Sequence, residues 1–341
     1  MRLLPFVRLA WCAIPLGIAA ALLSGGAAAQ STVKLSLDGR LDGPSALFLL
    51  PQDKGYYRDE GLELSIDEGA TFLDPITRIA SGACQFGFAD INALIRYRDQ
   101  NPAAPVKAVY MVFNKPPFAV VGRKSRGISD PKSLEDKRLG ASPAGATFDQ
   151  WPIFAKLNDI DVGKVMLEKI GIPVRTPMLA AGEIDASLGF SYRLYVDLND
   201  RGVPAEDVVM LPMANYGLKL YGNAIMVNSK FAADHPGAVE GFLRAFTRGL
   251  KDTIRNPLPA IDALLKRDGL FKKELELERL RMALRDNVLT PEVRANGLGG
   301  IDGERLTQAV AQIGLAHAFK AKPKPQDIFD PAFLPAERKL N

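Results

Sequence analysis

Apolar residues follow two different spacings along the chain, and the change between them lies near residue 228. Before it, short apolar runs of strand length alternate with stretches of helical spacing. After it, only the helical spacing remains, beginning with an apolar stripe from Val239 to Ile254 that Asn256 and Pro257 stop. Strands alternating with helices, followed by helices alone, predict an α/β fold with a helical C-terminal annex.

Glycine and proline mark the breaks between the predicted elements. Gly55-Tyr56-Tyr57 is expected to break regular structure, and the proline-rich tail beyond Lys320 is expected to run as a loosely packed, extended strap. We predict strands at residues 33–37, 62–66, 85–89, 106–113, 118–121, 138–142, 164–170, 208–211 and 224–227. A further strand follows the helix that ends at Gly182 and extends to Leu188.

Two stretches of the chain repeat one pattern. Residues 78–92 and 178–192 each read as a helix end, a glycine suited to a left-handed cap, and a short apolar strand that ends in polar or aromatic residues. Upstream of each, the tetrapeptide Gly-Ala-Thr-Phe occurs, at 69–72 and at 145–148. Both tetrapeptides follow a predicted strand and open a predicted helix, where backbone N–H groups are free. Because ligands collect beyond the carboxyl ends of strands in open α/β sheets, this repetition predicts two lobes that close on one small ligand.

The chain is expected to cross between these lobes twice. Asn114-Lys115-Pro116-Pro117 ends regular structure after a buried strand, and residues 215–223 return the chain to the first lobe. We therefore assign residues 32–115 and 224–320 to lobe one, residues 116–223 to lobe two, and residues 321–341 to the C-terminal strap.

The first 29 residues have the pattern of a secretory signal peptide. Arg2 and Arg8 provide the positive start, an apolar run follows, and Ala27-Ala28-Ala29 suits cleavage after Ala29. A membrane anchor is the competing interpretation, but a proline and several glycines shorten the apolar run below a comfortable membrane span. We expect export to the periplasm.

Charge and cysteine content narrow the class of protein. The 341 residues carry a formal net charge of +4, which falls to +2 when Arg2 and Arg8, the only charged residues of the signal, are removed. So small a charge does not favour nucleic acid or an anionic membrane surface as a partner. Cys84 would be the only cysteine after cleavage, so no internal disulfide is expected, and its apolar setting predicts a core position.

A series of short motifs runs through residues 33–335. The motifs are Lys54-Gly55-Tyr56-Tyr57 with Glu60-Gly61-Leu62, Ala80-Ser81-Gly82 with Phe86-Gly87-Phe88-Ala89-Asp90, Gly127-Ile128-Ser129-Asp130-Pro131-Lys132-Ser133-Leu134, Ala181-Gly182-Glu183-Ile184-Asp185-Ala186, Tyr216-Gly217 with Leu220-Tyr221-Gly222-Asn223, Gly297-Leu298-Gly299 and Phe333-Leu334-Pro335. In order and spacing they resemble the periplasmic solute-binding proteins of ABC importers, in the branch that handles thiamine pyrimidine precursors, alkanesulfonates, taurine and nitrate.

The resemblance implies a two-lobed fold of the type II periplasmic binding protein class. It also implies a protein that captures a solute and delivers it to a permease in the inner membrane. The permease would recognise the ligand-bound protein by its closed shape. We expect a monomer with no cofactor and no metal. A periplasmic sensor that presents its ligand to a receptor needs the same closing lobes and is a further possibility.

Candidate ligand contacts lie at predicted strand ends, turns and crossings. They are Arg40, Asp42, Thr71, Asp90, Asn92, Asn114, Thr147, Phe190, Tyr192, Tyr216 and Tyr221. Aromatic faces sandwich planar rings, and Asp42 or Asp90 can accept a hydrogen bond from an amino group, so this set favours a heteroaromatic, pyrimidine-like solute. Relatives that bind pyrimidines usually carry a tryptophan in the loop after the first strand, where this chain has Gly39-Arg40.

A small anion such as an alkanesulfonate or taurine is the alternative ligand. The hydroxyls of Thr71 and Thr147, with backbone N–H groups at two helix starts, would form an oxyanion cradle, and Arg40 or Lys115 would add charge. For each aromatic residue, ordinary core packing is the competing interpretation.

An enzyme of thiamine-pyrimidine biosynthesis is a more distant alternative. Some relatives with this fold build the pyrimidine with a histidine and a cysteine-rich run that binds iron. The two histidines here, His235 and His317, lie in the C-terminal helical region with no cysteine or acidic partner at metal-ligand spacing. We therefore predict a binding protein and not an enzyme.

Overall fold

Ten strands form two separate five-stranded sheets in the computed structural model, which describes Met1 and residues 31–340. The predicted signal peptide and its cleavage after Ala29 lie outside the described residues, apart from Met1. The strands are β1 (Ser31–Leu37), β2 (Leu62–Asp67), β3 (Phe86–Asp90), β4 (Val106–Met111), β5 (Phe118–Arg123), β6 (Arg138–Ala141), β7 (Met166–Lys169), β8 (Ala186–Phe190), β9 (Val208–Pro212) and β10 (Asn223–Asn228).

The two sheets have the same topology. The first has the order β2-β1-β3-β10-β4, and the second has the order β7-β6-β8-β5-β9. In the first, β1 is parallel to β2 and β3, while β10 runs antiparallel to β3 and β4. In the second, β6 is parallel to β7 and β8, while β5 runs antiparallel to β8 and β9. Each antiparallel strand is the first one after the chain changes sheet. The sheets and their helices are called the first and second lobes below.

Helices surround both sheets and then form the annex expected after β10. They are α1 (Ala46–Asp53), α2 (Tyr56–Asp59), α3 (Asp74–Ala80), α4 (Ile91–Gln100), α5 (Trp151–Leu157), α6 (Ile172–Ala181), α7 (Ser191–Asp200), α8 (Ser229–Asp234), α9 (Pro236–Arg255), α10 (Leu258–Leu265), α11 (Lys273–Ala283), α12 (Pro291–Asn296), α13 (Gly303–Ile313) and α14 (Pro325–Ile328). The apolar stripe of α9 is buried as predicted, and the Phe242 ring stacks on the Phe86 ring of β3 with centroids 4.1 Å apart.

Two predicted segments differ from the structure. Gly55 does break α1, but its left-handed conformation (φ 76°) leads directly into α2, so Tyr56 begins a helix where irregular structure was predicted. The tail is not a loosely packed strap, because it contains α14. Ile328 and Phe329 are buried, and Phe329 forms a bridge with Ala108 at the edge of the first sheet.

The hydrophobic cores of the lobes are continuous with each other. Tyr192 and Val196 of α7, a helix of the second lobe, belong to the core cluster of the first lobe. Conversely, Phe118 and Trp151 of the second lobe share a cluster with Ile76 of the first. The lobes therefore meet over a packed apolar contact as well as along a polar cleft. Among the described residues, no helix is both long enough and apolar enough to span a membrane.

Candidate ligand-binding cleft

A narrow cavity of about 40 Å³ lies between the lobes, at the carboxyl ends of their parallel strands. Asp38 follows β1 and Phe72 follows β2, whereas the turn after β6 and the end of β8 supply the opposite wall. The lining residues are Asp38, Phe72, Ala144, Gly145, Ala146, Thr147, Ile172, Arg175, Gly189, Phe190 and Arg193. Typical ligand pockets hold roughly 300–1,000 Å³, so a solute with a six-membered ring enters only if the lobes separate.

The two Gly-Ala-Thr-Phe turns face this common cavity, as the sequence predicts. Phe72 of the first turn and residues 145–147 of the second both line it. In the first turn, however, the backbone N–H groups and the threonine hydroxyl are already hydrogen-bonded within the chain. Asp74 accepts hydrogen bonds from the N–H of Ala70 (2.6 Å), from the N–H of Thr71 (3.1 Å) and from the Thr71 hydroxyl (2.6 Å). The bond from the Thr71 hydroxyl is the main cause that lowers the pKa of Asp74, and the two backbone bonds lower it further. The first turn thus presents a carboxylate, and Thr71 is not the anion donor that was expected.

An ion pair joins the lobes at the edge of the cavity. Arg193 Nε of α7 donates to Asp42 Oδ2 of the first lobe over 2.8 Å. Burial is the largest single influence and would lower the pKa of Arg193, but Asp42, Tyr192 and Asp38 together outweigh it, so that the pKa is raised. Asp38 lies beside this pair and accepts a 2.7 Å hydrogen bond from Asn223 Nδ2. Burial raises the pKa of Asp38 in spite of the nearby Arg193 cation.

Arg175, a second cation of the cavity wall, forms no ion pair with an acid in residues 31–340. Only 7% of Arg175 is exposed, and its Nη1 donates to the Leu188 carbonyl over 2.6 Å. Within residues 31–340, its Nε has no hydrogen-bond partner and no carboxylate lies within 4.0 Å of its guanidinium. Burial, followed by the charge of Arg193, lowers the pKa of Arg175 to about 10. Gly189 makes room for it, because a Cβ there would lie 3.0 Å from Arg175 Nη2.

Two phenylalanine rings provide the apolar part of the cavity. Phe72 is buried in the first lobe, and the half-buried Phe190 ends β8 in the second. The Arg193 guanidinium lies 5.5 Å from the centroid of the Phe190 ring, and the centroid of the Tyr192 ring lies 5.8 Å from it. The cavity therefore combines aromatic faces from both lobes with a carboxyl and two guanidinium groups.

Of the eleven predicted contact residues, Thr147 and Phe190 line the cavity and Asp42 lies at its edge. Asp90 and Asn92 are elsewhere, because they hold the start of α4. Asp90 is fully buried and accepts from the Asn92 N–H (3.1 Å), Asn92 Nδ2 (2.6 Å) and the Ala93 N–H (3.2 Å). Burial raises the pKa of Asp90 to about 7.

Asn114 and Tyr221 lie at the crossings between lobes and contact the C-terminal annex instead of the cavity. Asn114 Nδ2 and the Tyr221 hydroxyl both donate to Glu292 Oε1, over 2.9 and 2.8 Å. Arg305 donates to the carbonyls of Asn114 (2.8 Å) and Leu220 (2.7 Å), and its guanidinium lies 3.9 Å from the Tyr221 ring centroid. These residues brace the crossings.

The remaining predicted contacts are also displaced from the cavity lining. Tyr192 is buried against Phe113, and Tyr216 packs edge-on against Phe154 of the second lobe, as the core-packing interpretation anticipated. Arg40 is exposed to solvent. Asp38, Arg175 and Arg193 were not among the predicted contacts. The position of Asp38 directly after β1 was an available signal, whereas nothing local marks the two arginines.

Larger depressions of about 620, 690 and 550 Å³ lie outside the cleft, along the C-terminal helices. In the first, the charged groups neutralise one another, for example Arg244 with Glu60 and Arg255 with Asp252. The other two flank Asn114 and Glu292 at the crossings. None of the three is lined by the carboxyl ends of the parallel strands, so we place the ligand site in the smaller cleft.

The two histidines lie apart from the cleft. His235 is exposed beside Phe231, and His317 Nε2 lies 3.2 Å from Asp99 Oδ2 near the start of the C-terminal tail. Over the part of the chain that the structure describes, no group of three or more His, Cys, Asp or Glu residues is arranged to hold a metal ion. Cys84 is buried, and burial raises the pKa of its thiol.

Three proteins of known role are similar to this chain in sequence. The riboflavin-binding protein RibY of Chloroflexus aurantiacus is 26% identical over 297 residues, which cover 83% of this chain and 80% of RibY. A formylaminopyrimidine-binding protein of Halalkalibacterium halodurans is 23% identical over 86% of this chain and 88% of its own. A 4-amino-5-hydroxymethyl-2-methylpyrimidine phosphate synthase of Schizosaccharomyces pombe is 26% identical over 67% of this chain, but the match spans only 66% of the synthase.

Solved structures confirm the predicted two-lobed fold. The periplasmic aliphatic sulphonate binding protein SsuA of Escherichia coli superposes with a TM-score of 0.70 at 12% identity, over 91% of this chain and 95% of its own. The periplasmic nitrate-binding protein NrtA of Synechocystis superposes with a TM-score of 0.65 at 11% identity, over 89% and 86% of the two chains. A family model described as NMT1/THI5 like matches residues 44–260, which are more than half of the chain. The protein is therefore a member of the NMT1/THI5-like family.

Proposed function

We propose that this protein is the solute-binding component of an ABC importer, which captures a planar nitrogen heterocycle between its lobes. The observation that carries the proposal is the cavity lined by Phe72 from one lobe and Phe190 from the other, with the Asp38 carboxyl in the same lining. Aromatic faces favour a flat ring, and Asp38 can accept a hydrogen bond from an amino group or, when protonated, donate to a ring nitrogen.

The similarity to two binding proteins whose names specify riboflavin and formylaminopyrimidine supports this class of ligand, because both molecules are nitrogen heterocycles. We further propose that the protein works as a monomer in the periplasm after cleavage behind Ala29, hands its solute to an inner-membrane permease and binds no nucleic acid. The periplasmic proteins that share its fold support this location.

We propose no catalysis. The cavity lining within the described residues contains no histidine, cysteine or lysine, and both histidines lie in the C-terminal region, away from the cleft. A small aliphatic anion such as an alkanesulfonate or taurine stays the second candidate ligand, since Arg175 offers a buried cation to it.

A thermal-shift screen against 4-aminopyrimidine, taurine, ethanesulfonate and nitrate tests the ligand class. A bound heterocycle at a hundred times its dissociation constant is expected to add about 2.7 kcal/mol to the free energy of unfolding. In Phe190→Ala this stabilisation should be lost, because the ring surface is gone. Phe148→Ala is the matched control, since Phe148 is a half-buried ring of the same lobe outside the cavity lining.

Two results would contradict the proposal. One is stabilisation by ethanesulfonate or taurine with none by the heterocycle, which would favour the small anion. The other is an equal ligand response in Phe190→Ala and Phe148→Ala, which would place the site elsewhere.

A further inference from the structure

We infer that the ligand bears an acidic substituent on its ring, and that the Arg175 guanidinium receives this group inside the cleft. The inference deepens the proposed function and rests on it: it narrows the ligand from nitrogen heterocycles in general to heteroaromatic acids, with a carboxylate or a sulfonate on the ring.

The first step is the position of Arg175. It lies in α6, in the wall of the cavity, and is more than nine-tenths buried. Only its Nη1 is engaged, by the Leu188 carbonyl, while its Nε has no partner among the described residues. A buried cation is normally compensated by an acid, because desolvation of an unpaired charge is unfavourable.

The second step is the lack of a compensating acid on the protein side. The charges that act on Arg175 are the cation of Arg193, which repels it, and Asp197, which is already paired with Arg279. Asp42, at the edge of the cavity, is paired with Arg193. Asp38, the carboxyl of the cavity lining, accepts a hydrogen bond from Asn223 and forms no ion pair with Arg175. Within residues 31–340 no acid is paired with Arg175, so an anionic group of the ligand can supply the missing partner.

The third step is the neighbourhood of Arg175. Arg175 Nη2 packs against Gly189, where a Cβ would come within 3.0 Å of it, and the half-buried ring of Phe190 is the next residue of β8. An arginine presents parallel N–H donors that suit the oxygens of a carboxylate or sulfonate. A ring packed on Phe190 would place a substituent near this guanidinium, so one molecule satisfies both the aromatic and the cationic parts of the cavity.

The inference predicts a preference that a matched ligand series measures. Nicotinate, pyridine-3-sulfonate and nicotinamide share one pyridine ring and differ in the charge of one substituent. We expect titration calorimetry with the parent protein to give at least tenfold tighter binding for an acid than for the amide, since hydrogen bonds to a charged group are the stronger ones. The comparison of carboxylate with sulfonate identifies which acid fits.

Arg175→Met separates a ligand-binding role from a structural one. Methionine keeps similar length and removes the charge, so the tenfold preference should disappear. The melting temperature without ligand should stay the same or rise, because an unpaired buried cation is gone. If Arg175 served only to hold the Leu188 carbonyl, that temperature would fall. Arg138→Met is the control, as Arg138 is an exposed cation of the same lobe, paired with Glu168.

Each outcome bears on one claim or on both. Equal binding of nicotinamide and the acids, or an acid preference that persists in Arg175→Met, would overturn the inference while leaving the proposed function in place. No binding of any heterocycle, with ethanesulfonate bound, would overturn both. Should Arg175→Met fail to fold, the ligand series on the parent protein still decides, since the preference for an acid is measured there.

Discussion

Two buried ionisable side chains, Asp90 and Arg175, are compensated in different ways. Asp90 accepts hydrogen bonds from Asn92 and Ala93 and caps α4, so its partners are all within its own helix turn. Arg175 keeps one N–H without a partner in the described chain and borders the cleft. The first arrangement stabilises the fold, whereas the second leaves a charge that a ligand can neutralise.

The raised pKa of Asp90 predicts how stability depends on pH. Burial raises this pKa from 3.8 to about 7, so the folded protein keeps the proton where the unfolded chain has lost it. The contribution to the free energy of unfolding is therefore full below about pH 4 and is lost as the pH rises from 4 through 7. We expect urea denaturation of the parent to show this decline, and Asp90→Asn to show a flatter profile over the same window.

Asp59→Asn is the matched control for that profile, because Asp59 is an exposed carboxylate in a 3.3 Å pair with Arg248. A parent whose stability rises between pH 4 and 7, or an Asp90→Asn profile as steep as that of the parent, would show that burial does not govern this group. Ligand binding at pH 8 should be the same in Asp90→Asn as in the parent, since Asp90 is outside the cavity lining.

At the scale of elements, α7 links the two lobes through one face. Arg193, Asp197 and Asp200 are spaced four and three residues apart and so lie on the same side of the helix. Across the lobe boundary they pair with three residues of the first lobe and its annex. These are Asp42 for Arg193, Arg279 for Asp197 and Lys272 for Asp200.

The solvent exposure of the side chains predicts which of these ion pairs holds the two lobes together more strongly. Lys272 and Asp200 are exposed by 65% and 36%, and such a pair contributes no more than about 1 kcal/mol. Arg193 and Asp42 are exposed by only 28% and 11%, so removing Arg193 leaves the Asp42 carboxylate largely buried without its partner and destabilises the closed form by more than loss of an exposed pair does. We expect Arg193→Met to raise the radius of gyration of the ligand-free protein in small-angle scattering, by increasing the fraction of open molecules.

Lys272→Met provides the control, with a radius of gyration close to that of the parent. Raising the salt concentration should affect the exposed pair more than the buried one, because salt screens exposed charges. An unchanged radius of gyration in Arg193→Met, or an increase of equal size in both variants, would mean that the α7 pairs do not hold the lobes together.

These elements also show how far the sequence alone reaches. The strands, the order of the elements and the facing of the two Gly-Ala-Thr-Phe turns could be predicted, because apolar spacing and turn residues are local signals. Phe190 and Thr147, which line the cavity, could be proposed from the sequence because ligands collect beyond strand ends. Arg193 was missed because its partner, Asp42, is 151 residues away and belongs to the other lobe. Tyr221, two residues before β10, lies outside the cavity lining, and its hydroxyl donates to Glu292 of α12, 71 residues away.

At the scale of the whole molecule, the annex braces the two crossings between lobes. Arg305 of α13 donates to carbonyls on both crossings, at Asn114 and at Leu220, and pairs with Glu292 over 2.9 Å. Asn287 adds a mutual pair of hydrogen bonds with Lys115, each 3.0 Å long. Movement of the lobes therefore has a fixed base behind the cleft. With the cavity as narrow as about 40 Å³, opening about this base is how we propose that a solute enters.

The central claim is that the lobes close on a solute between the two Gly-Ala-Thr-Phe turns, and a distance across the cleft tests it most directly. Ala70→Cys in the first turn and Pro143→Cys, two residues before the second turn, place spin labels on exposed residues, in a Cys12→Ser background where the remaining Cys84 is buried. With the heterocycle that gives the largest thermal shift, we predict that the distance distribution measured by double electron–electron resonance becomes shorter and narrower. A distribution that a saturating, bound ligand leaves unchanged would contradict the account.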